Sequence, residues 1–205
     1  MTNQTIYNED WQIGIKRIEN NTVDLVVTDP PYGMDYQSNR RKEVHKSIQN
    51  DTNLDWLGGW VKELKRVCKQ EAHLYIFCSW HHIDKFKQEV GALFNIKNIL
   101  IWEKNNHGSG DLLGDYAPKY EMILFCSNGE KKLKGGRDSN ILKANKTNNE
   151  NHPTQKPTEL ISYLIEKSSN KGDLVLDTFA GSCTTAIASR QKDRSCICFE
   201  IDKQY

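Results

Sequence analysis

Short β-rich runs alternate along this chain with stretches whose apolar residues recur at helical spacing, and that alternation restricts the fold more than any other feature. Val23-Asp24-Leu25-Val26-Val27 reads as a buried strand, and so do 73–78, 98–103, 120–126, 173–176 and 195–199. Between them, Leu57, Val61, Leu64 and Cys68 recur at helical spacing, as do Ile83, Phe86, Val90 and Leu93. Leu160, Ile161, Leu164 and Ile165 form a third stripe just after Pro157, a residue suited to a helix start. Each stripe is read as a core face and nothing more. Strands alternating with helices predict an α/β sheet covered on both faces. In such sheets ligands bind beyond the carboxyl ends of the strands. The chain just after Val27 and the chain just after Leu176 are therefore the places to expect a site.

The length of 205 residues fits one domain, 1–205, with a sizeable core. A net charge of +1 gives no global sign of a nucleic-acid partner, so any basic surface must be local. The six cysteines include no C-x-x-C pair, which makes free thiols in a reducing compartment the expectation and a metal site unexpected. The first ten residues are polar and acidic, and no apolar run reaches the length of a membrane span. A soluble, cytoplasmic protein of a bacterial cell or an infected host cell is expected.

Three segments interrupt the alternation. Segment 33–53 is polar and carries Arg40, Arg41, Lys42 and Lys46. Segment 105–118 contains Gly108, Gly110 and Gly114. Segment 131–146 carries six basic residues against Asp138, a net +5. Long loops without structure of their own are usually functional or disordered.

From Asp173 the sequence runs strand, small-residue turn, helix start: Asp177-Thr178-Phe179-Ala180-Gly181-Ser182-Cys183-Thr184. Small residues allow a ligand close to the backbone, and a new helix offers free N–H groups. Glu200 follows 23 residues after Asp177, at the end of the next apolar run. A carboxylate at that point can hold both hydroxyls of a ribose. A nucleoside-containing cofactor fits this pattern, and so does a plain tight connection between strand and helix.

Asp29-Pro30-Pro31-Tyr32 follows the strand ending at Val27. Two prolines fix φ and remove two donors, leaving carbonyls that can only accept. An exocyclic amine has two N–H donors, and Asp29 with the Pro30 carbonyl can accept one each. Drawing on both protons turns the nitrogen lone pair toward an electrophile, a task of positioning and charge stabilisation. Tyr32 offers a ring face for an extruded base. The plain alternative is a strand-ending Pro-Pro turn with an aspartate cap.

Asp29-Pro30-Pro31-Tyr32 resembles the catalytic motif of the DNA adenine-N6/cytosine-N4 amino-methyltransferases, and a leading Asp is more typical of the adenine enzymes. The chain 177–182 resembles the S-adenosylmethionine motif of the same family, usually Phe-x-Gly-x-Gly; here Cys183 stands at the second glycine. If that position needs positive φ, Cys183 costs about 1 kcal/mol in strain. Asn151-His152-Pro153-Thr154-Gln155-Lys156-Pro157 is similar to the segment beside the methionyl end of the cofactor, which implies polar contacts from Thr154, Gln155 and Lys156. Tyr7-Asn8-Glu9-Asp10-Trp11 is similar to the short acidic segment near the cofactor adenine, with Asp10 as acceptor or as a simple helix cap. The catalytic motif precedes the cofactor motif, an order like that of the β group. The resemblance implies a Rossmann-like methyltransferase fold, mostly parallel with an antiparallel edge strand.

The same resemblance puts a target-recognition region at about 129–151. Lys132 and Lys134 there could neutralise phosphates, and Arg137 or Asn140 could reach base edges. Arg40, Arg41, Lys42 and Lys46 follow the catalytic turn and are expected to close over a flipped base. Trp80, His81 and His82 follow the strand ending at Cys78, where ordinary packing is the first expectation and the site's rim the second. The implied partners are double-stranded DNA and, as in many members of the group, a second copy of the chain. The implied activity is adenine-N6 methylation of DNA. Cytosine-N4 methylation, an impaired DNA-binding scaffold, and RNA or protein methylation are the alternatives.

Overall fold

The computed structural model describes residues 2–32, 53–107, 113–145 and 155–203. Arg40, Arg41, Lys42, Lys46 and Thr154 lie outside them. In chain order the elements are β1 (Gln4–Tyr7), α1 (Trp11–Gly14), β2 (Val23–Thr28), α2 (Leu57–Val67), β3 (Cys68–Cys78), α3 (Ile83–Gly91), β4 (Asn95–Glu103), β5 (Tyr120–Ser127), β6 (Ile141–Lys143), α4 (Thr158–Ser168), β7 (Leu174–Asp177), α5 (Thr184–Gln191) and β8 (Ser195–Phe199).

The eight strands form one sheet in the order β1-β8-β7-β2-β3-β5-β4-β6. Every pairing is parallel except those of β5, which runs antiparallel to β3 and to β4. The antiparallel strand is therefore not at the edge, as expected, but third from it. The crossover through α3 carries β4 one place beyond β3, and the chain then returns through the gap as β5. The three-residue β6 adds to β4 outside it.

Both faces are covered. Leu74, Ile76 and Cys78 of β3 point into the core under α2 and α3 with Trp60, Leu64, Phe86 and Val90. Tyr75 and Phe77 point to the other side with Leu160, Ile161, Leu164 and Ile165 of α4 and Ala186 and Ala188 of α5. The period-2 alternation along β3 is what allows one strand to serve two cores. Cys68, expected on the helical stripe, is the first residue of β3. Its N–H still reaches Leu64 O, but its ψ of 133° has already turned extended, so helix passes into strand without a loop. Leu93, expected on a core face, lies past the end of α3 and is 36% exposed. No helix among the described residues is long and apolar enough to cross a membrane.

Candidate active site

β2 lies between β7 and β3, with Leu25 opposite Val175 and Val26 opposite Leu176. The turns that leave β2 and β7 at their carboxyl ends are thus neighbours, although Thr28 and Thr178 are 150 residues apart. Their hydroxyl oxygens lie 3.2 Å from each other, and the indole N–H of Trp60 donates to Thr178 Oγ1 at 3.0 Å. A sheet whose connections diverge from its centre opens its ligand crevice at such a place.

On the β2 side, both carboxylate oxygens of Asp29 are engaged. The Tyr32 hydroxyl donates to Oδ1 and the Lys156 ammonium donates to Oδ2. Lys156 is only 8% exposed, with its ammonium 5.1 Å from the centre of the Phe77 ring and 3.1 Å from Glu121 Oε2. Lys104 stands behind, 2.7 Å from Glu121 Oε1. The row Lys104, Glu121, Lys156, Asp29 alternates in sign, the arrangement that buried charges require. Burial alone would lower the pKa of Lys156, but the charges of Asp29 and Glu121 outweigh it and raise the value. For Glu121, burial would raise the pKa and the two lysines outweigh it, so the carboxylate is held below its ordinary range. Burial and then the charge of Asp29 push the Tyr32 hydroxyl well up, so it remains a neutral donor. Pro30 is buried and Pro31 half-buried; neither brings an N–H to compete for the acceptors beside Asp29.

Lys156 thus sits where the sequence did not put it. It was expected near the cofactor, and its ammonium is engaged by the carboxylate of Asp29. Glu121 and Lys104 were not anticipated at all. A carboxylate inside the apolar run Tyr120–Ser127 was the available signal.

On the β7 side, Asp177 lies beneath the turn rather than in it. It is 4% exposed, with Oδ1 accepting from Phe179 N–H at 3.1 Å and Oδ2 from the Thr185 hydroxyl at 2.6 Å. Burial pushes its pKa from 3.8 up to about 6. Above it, Gly181 N–H donates to Glu200 Oε2 at 2.7 Å and Ala180 N–H to Phe199 O at 2.9 Å. Asp202 N–H fixes Glu200 Oε1 at 2.9 Å. The turn is left-handed at Gly181 (φ 49°) and again at Cys183 (φ 57°), which caps α5. The Ser182 and Thr184 hydroxyls lie 3.1 Å apart at the same end of the helix.

Phe179 closes the apolar side, with its ring 5.5 Å from Trp56, 6.0 Å from Trp60 and 6.4 Å from Trp11. The tryptophans also escaped the sequence reading; Trp56 and Trp60, four residues apart next to a helical stripe, were the signal. Asp10 is a helix cap whose Oδ1 accepts from Gln12 N–H at 2.7 Å. Gly14 lets α1 rest on Phe199, because a Cβ there would run into the ring. A carboxylate fixed at the end of β8, a small-residue turn and an aromatic wall fit a nucleoside cofactor: diol on Glu200, backbone approach at 180–182, base against the rings.

The expected DNA contacts divide between the two ends of the sheet. Lys131 and Lys134 are at the amino end, far from Asp29. The Lys131 ammonium donates to Asp24 O at 3.4 Å, and that of Lys134 to Ser169 O at 3.0 Å. Lys132 lies between them. The chain then climbs past Arg137, exposed, and Asp138, which is bound to Lys167 at 2.5 Å and to the Tyr163 hydroxyl at 2.7 Å. At Asn140 it joins the sheet edge, with its carbonyl accepting from Ile101 N–H at 2.8 Å. Segment 129–145 is thus a strap tied to α4 and β4, not the free basic loop expected. Its backbone found partners in Lys167 and Ile101, and three of its lysines reach Asp24 O, Ser169 O and the Glu103 carboxylate. Trp80 departs from ordinary packing: it is 56% exposed and stacks on His81 with centroids 3.9 Å apart.

Residues 23–205 match the family of N6/N4 methyltransferases described as DNA methylases. The chain is 31% identical to the type II methyltransferase M.HpaI of Haemophilus parainfluenzae, over 93% of this chain and 68% of that protein. It is 29% identical to the DNA adenine methyltransferase YhdJ of Escherichia coli (strain K12), over 98% and 80% of the two chains. The crystal structure of the M1.HpyAVI complex with S-adenosylmethionine superposes with a TM-score of 0.76 at 26% identity, covering 98% of this chain and 95% of the other. Through a match that runs over nearly its whole length and takes in both turns, the chain belongs to the S-adenosylmethionine-dependent DNA methylase family.

Proposed function

We propose that this DNA methyltransferase acts on the N6 amino group of adenine in double-stranded DNA. The observation that carries the reading is the carboxylate of Asp29 at the head of a Pro-Pro turn, oriented from both sides by Tyr32 and Lys156 beside the cofactor turn. Each carboxylate oxygen has a second lone-pair direction. Asp29 Oδ1 accepts one amine N–H and the Pro30 carbonyl the other, which turns the nitrogen lone pair outward. Tyr32 stacks on the extruded base. S-adenosylmethionine supplies the methyl group as an electrophile bound to a sulfonium sulfur. Glu200 holds its ribose, and Phe179 with the tryptophans excludes water from its base. The proton that leaves the methylated amine passes to Asp29 Oδ1 or to water.

An aspartate rather than a serine at the head of the motif favours adenine. The test is transfer to duplex DNA followed by hydrolysis to nucleosides. N6-methyladenine is expected; N4-methylcytosine alone would sink the adenine reading. Asp29→Ala is expected to abolish transfer while S-adenosylmethionine still binds by calorimetry. Loss of binding in the wild type would favour the impaired scaffold instead.

A further inference from the structure

We infer that Glu121 is a positioning residue for methyl transfer: seated between Lys104 and Lys156, it fixes the ammonium that orients the Asp29 carboxylate toward the target amine. The inference rests on the activity proposed above and adds to it two groups that reach neither the base nor the cofactor turn.

Asp29 stands on a turn, and its carboxylate can rotate. For the amine to find Oδ1, something must hold Oδ2, and the group doing so is the Lys156 ammonium. That ammonium hangs on a flexible four-carbon stem, just before α4. It needs anchors of its own. One is the Phe77 ring, 5.1 Å away. The other is Glu121 on β5, whose backbone is locked in the sheet opposite Trp102. Lys104, just past the end of β4, steadies the far oxygen of Glu121 at 2.7 Å. The chain of contacts thus runs from two paired strands to the turn that carries Asp29, the relation expected of residues that support a reacting group.

The energetics point the same way. Four charges withdrawn from water are weak evidence for stability, since apolar residues of the same volume commonly do as well or better. Glu121 Oε2 is buried, and among the described residues no hydrogen bond of good geometry reaches it; the Lys156 ammonium stands 3.1 Å from it. A buried acceptor left so poorly satisfied calls for an explanation. Orienting Lys156 supplies one.

The charged and titratable groups around Lys156 come from every neighbouring element. Asp29 on the turn after β2 and Glu121 on β5 act on it directly, with Lys104 behind Glu121, while Tyr32, Cys78 at the end of β3 and Asp177 at the end of β7 act on Asp29. Removing the negative charge of Glu121 weakens the hold of Lys156 on its proton. Lys156 then gives up its proton more readily, so the rate should fall off in alkali sooner than in wild type.

The experiment compares wild type, Glu121→Gln, Glu121→Asp, Lys156→Met and the Glu121→Gln/Lys156→Met double variant in methyl transfer to duplex DNA as a function of pH. Glu121→Gln is expected to lower kcat about 10- to 100-fold. Its rate should fall off at a lower alkaline pH than that of wild type, while KM for S-adenosylmethionine stays within about twofold. Glu121→Asp should recover part of the rate, and the double variant should be no slower than Lys156→Met alone. The assignment is overturned by a Glu121→Gln rate within about twofold of wild type, or by additive losses in the double variant. A lowered Tm with an unmoved pH profile, the mark of a structural carboxylate, overturns it too. If Glu121→Gln does not fold, Glu121→Asp carries the same pH comparison. A wild type that transfers no methyl group to DNA fails in a different way: it removes the activity itself, and this inference with it.

Discussion

Cys183 holds a backbone angle that a side chain resists. Its φ of 57° and ψ of 28° lie in the left-handed region, and the helix α5 begins on it. The family resemblance puts glycine there, a residue that adopts the left-handed region without strain; the turn before it closes with Cys183 N–H on Ala180 O at 2.8 Å. Cys183→Gly is expected to raise stability by about 0.5–1 kcal/mol, the relieved strain exceeding the lost packing and the added freedom of the unfolded chain. The midpoint of urea unfolding measures it, and an unchanged or lower midpoint would show that the angle costs nothing. Asp177 stores a cost of another kind. In the native chain it keeps its proton up to about pH 6, whereas unfolded it releases it near 3.8. Folding takes up a proton between those values, so stability from this group falls as the pH rises from about 4 to 6. Asp177→Asn should gain on wild type across that window, by at most about 3 kcal/mol; a constant difference would exclude the effect. Asp29, Gly181 and Glu200 were legible as residues because each stands at the end of an apolar run. The burial of Asp177 and the grip of Lys156 on Asp29 were not. Both depend on which strands become neighbours, which no local pattern records.

At the scale of elements, the apolar runs announced their strands, and the two strands without such a run stayed silent. β1 has four residues and β6 three, and both are fixed by pairing, with β8 and with β4, rather than by their own propensity. The place of β5 inside the sheet was equally hidden, because a β-rich run does not carry its direction. His73, midway along β3, shows how these pieces are clamped. Its Nδ1 lies 2.8 Å from Ser168 Oγ at the end of α4, and its Nε2 lies 3.2 Å from Lys131 O in the strap. Its ring meets Phe125 of β5 edge-on at 4.9 Å. Burial, helped by the charge of Lys131, pushes its pKa down to about 4. The unfolded chain binds the proton near 6.5 and the native chain does not, so the clamp loses stability as the pH falls from about 6.5 toward 4. His73→Gln should be less stable than wild type at pH 7.5, and the gap should narrow by pH 4.5. Chemical denaturation at the two pH values measures both differences, and a gap that widens in acid would assign the buried imidazole the wrong protonation state.

For the whole molecule, the two ends of the sheet have different work. Asp29, Glu121, Lys156 and Glu200 gather at the carboxyl end, while His73, Lys131 and Lys134 bind the strap at the amino end. A net charge of +1 cannot attract DNA without regard to orientation, so affinity has to come from basic residues on the catalytic face. The described cations near that end are partly neutralised: Lys119 and Lys143 lie 3.1 Å and 3.7 Å from the Glu103 carboxylate. We propose that Arg40 and Arg41, eight and nine residues after Tyr32, supply such contacts. Each phosphate neutralised in duplex DNA contributes about 0.9 to the slope of log affinity against log salt. Replacing Arg40 and Arg41 together by alanine should therefore reduce that slope by about 2 and weaken binding across all sequences alike. Replacing Lys132 and Lys134 should leave the slope unchanged, because the strap ties Lys134 to Ser169 at the far end of α4, away from the turn that carries Asp29. Fluorescence anisotropy on a short duplex over a salt series separates the two. A slope lowered by the lysine pair but not by the arginine pair would mean that DNA wraps to the amino end, and that the strap reads it after all.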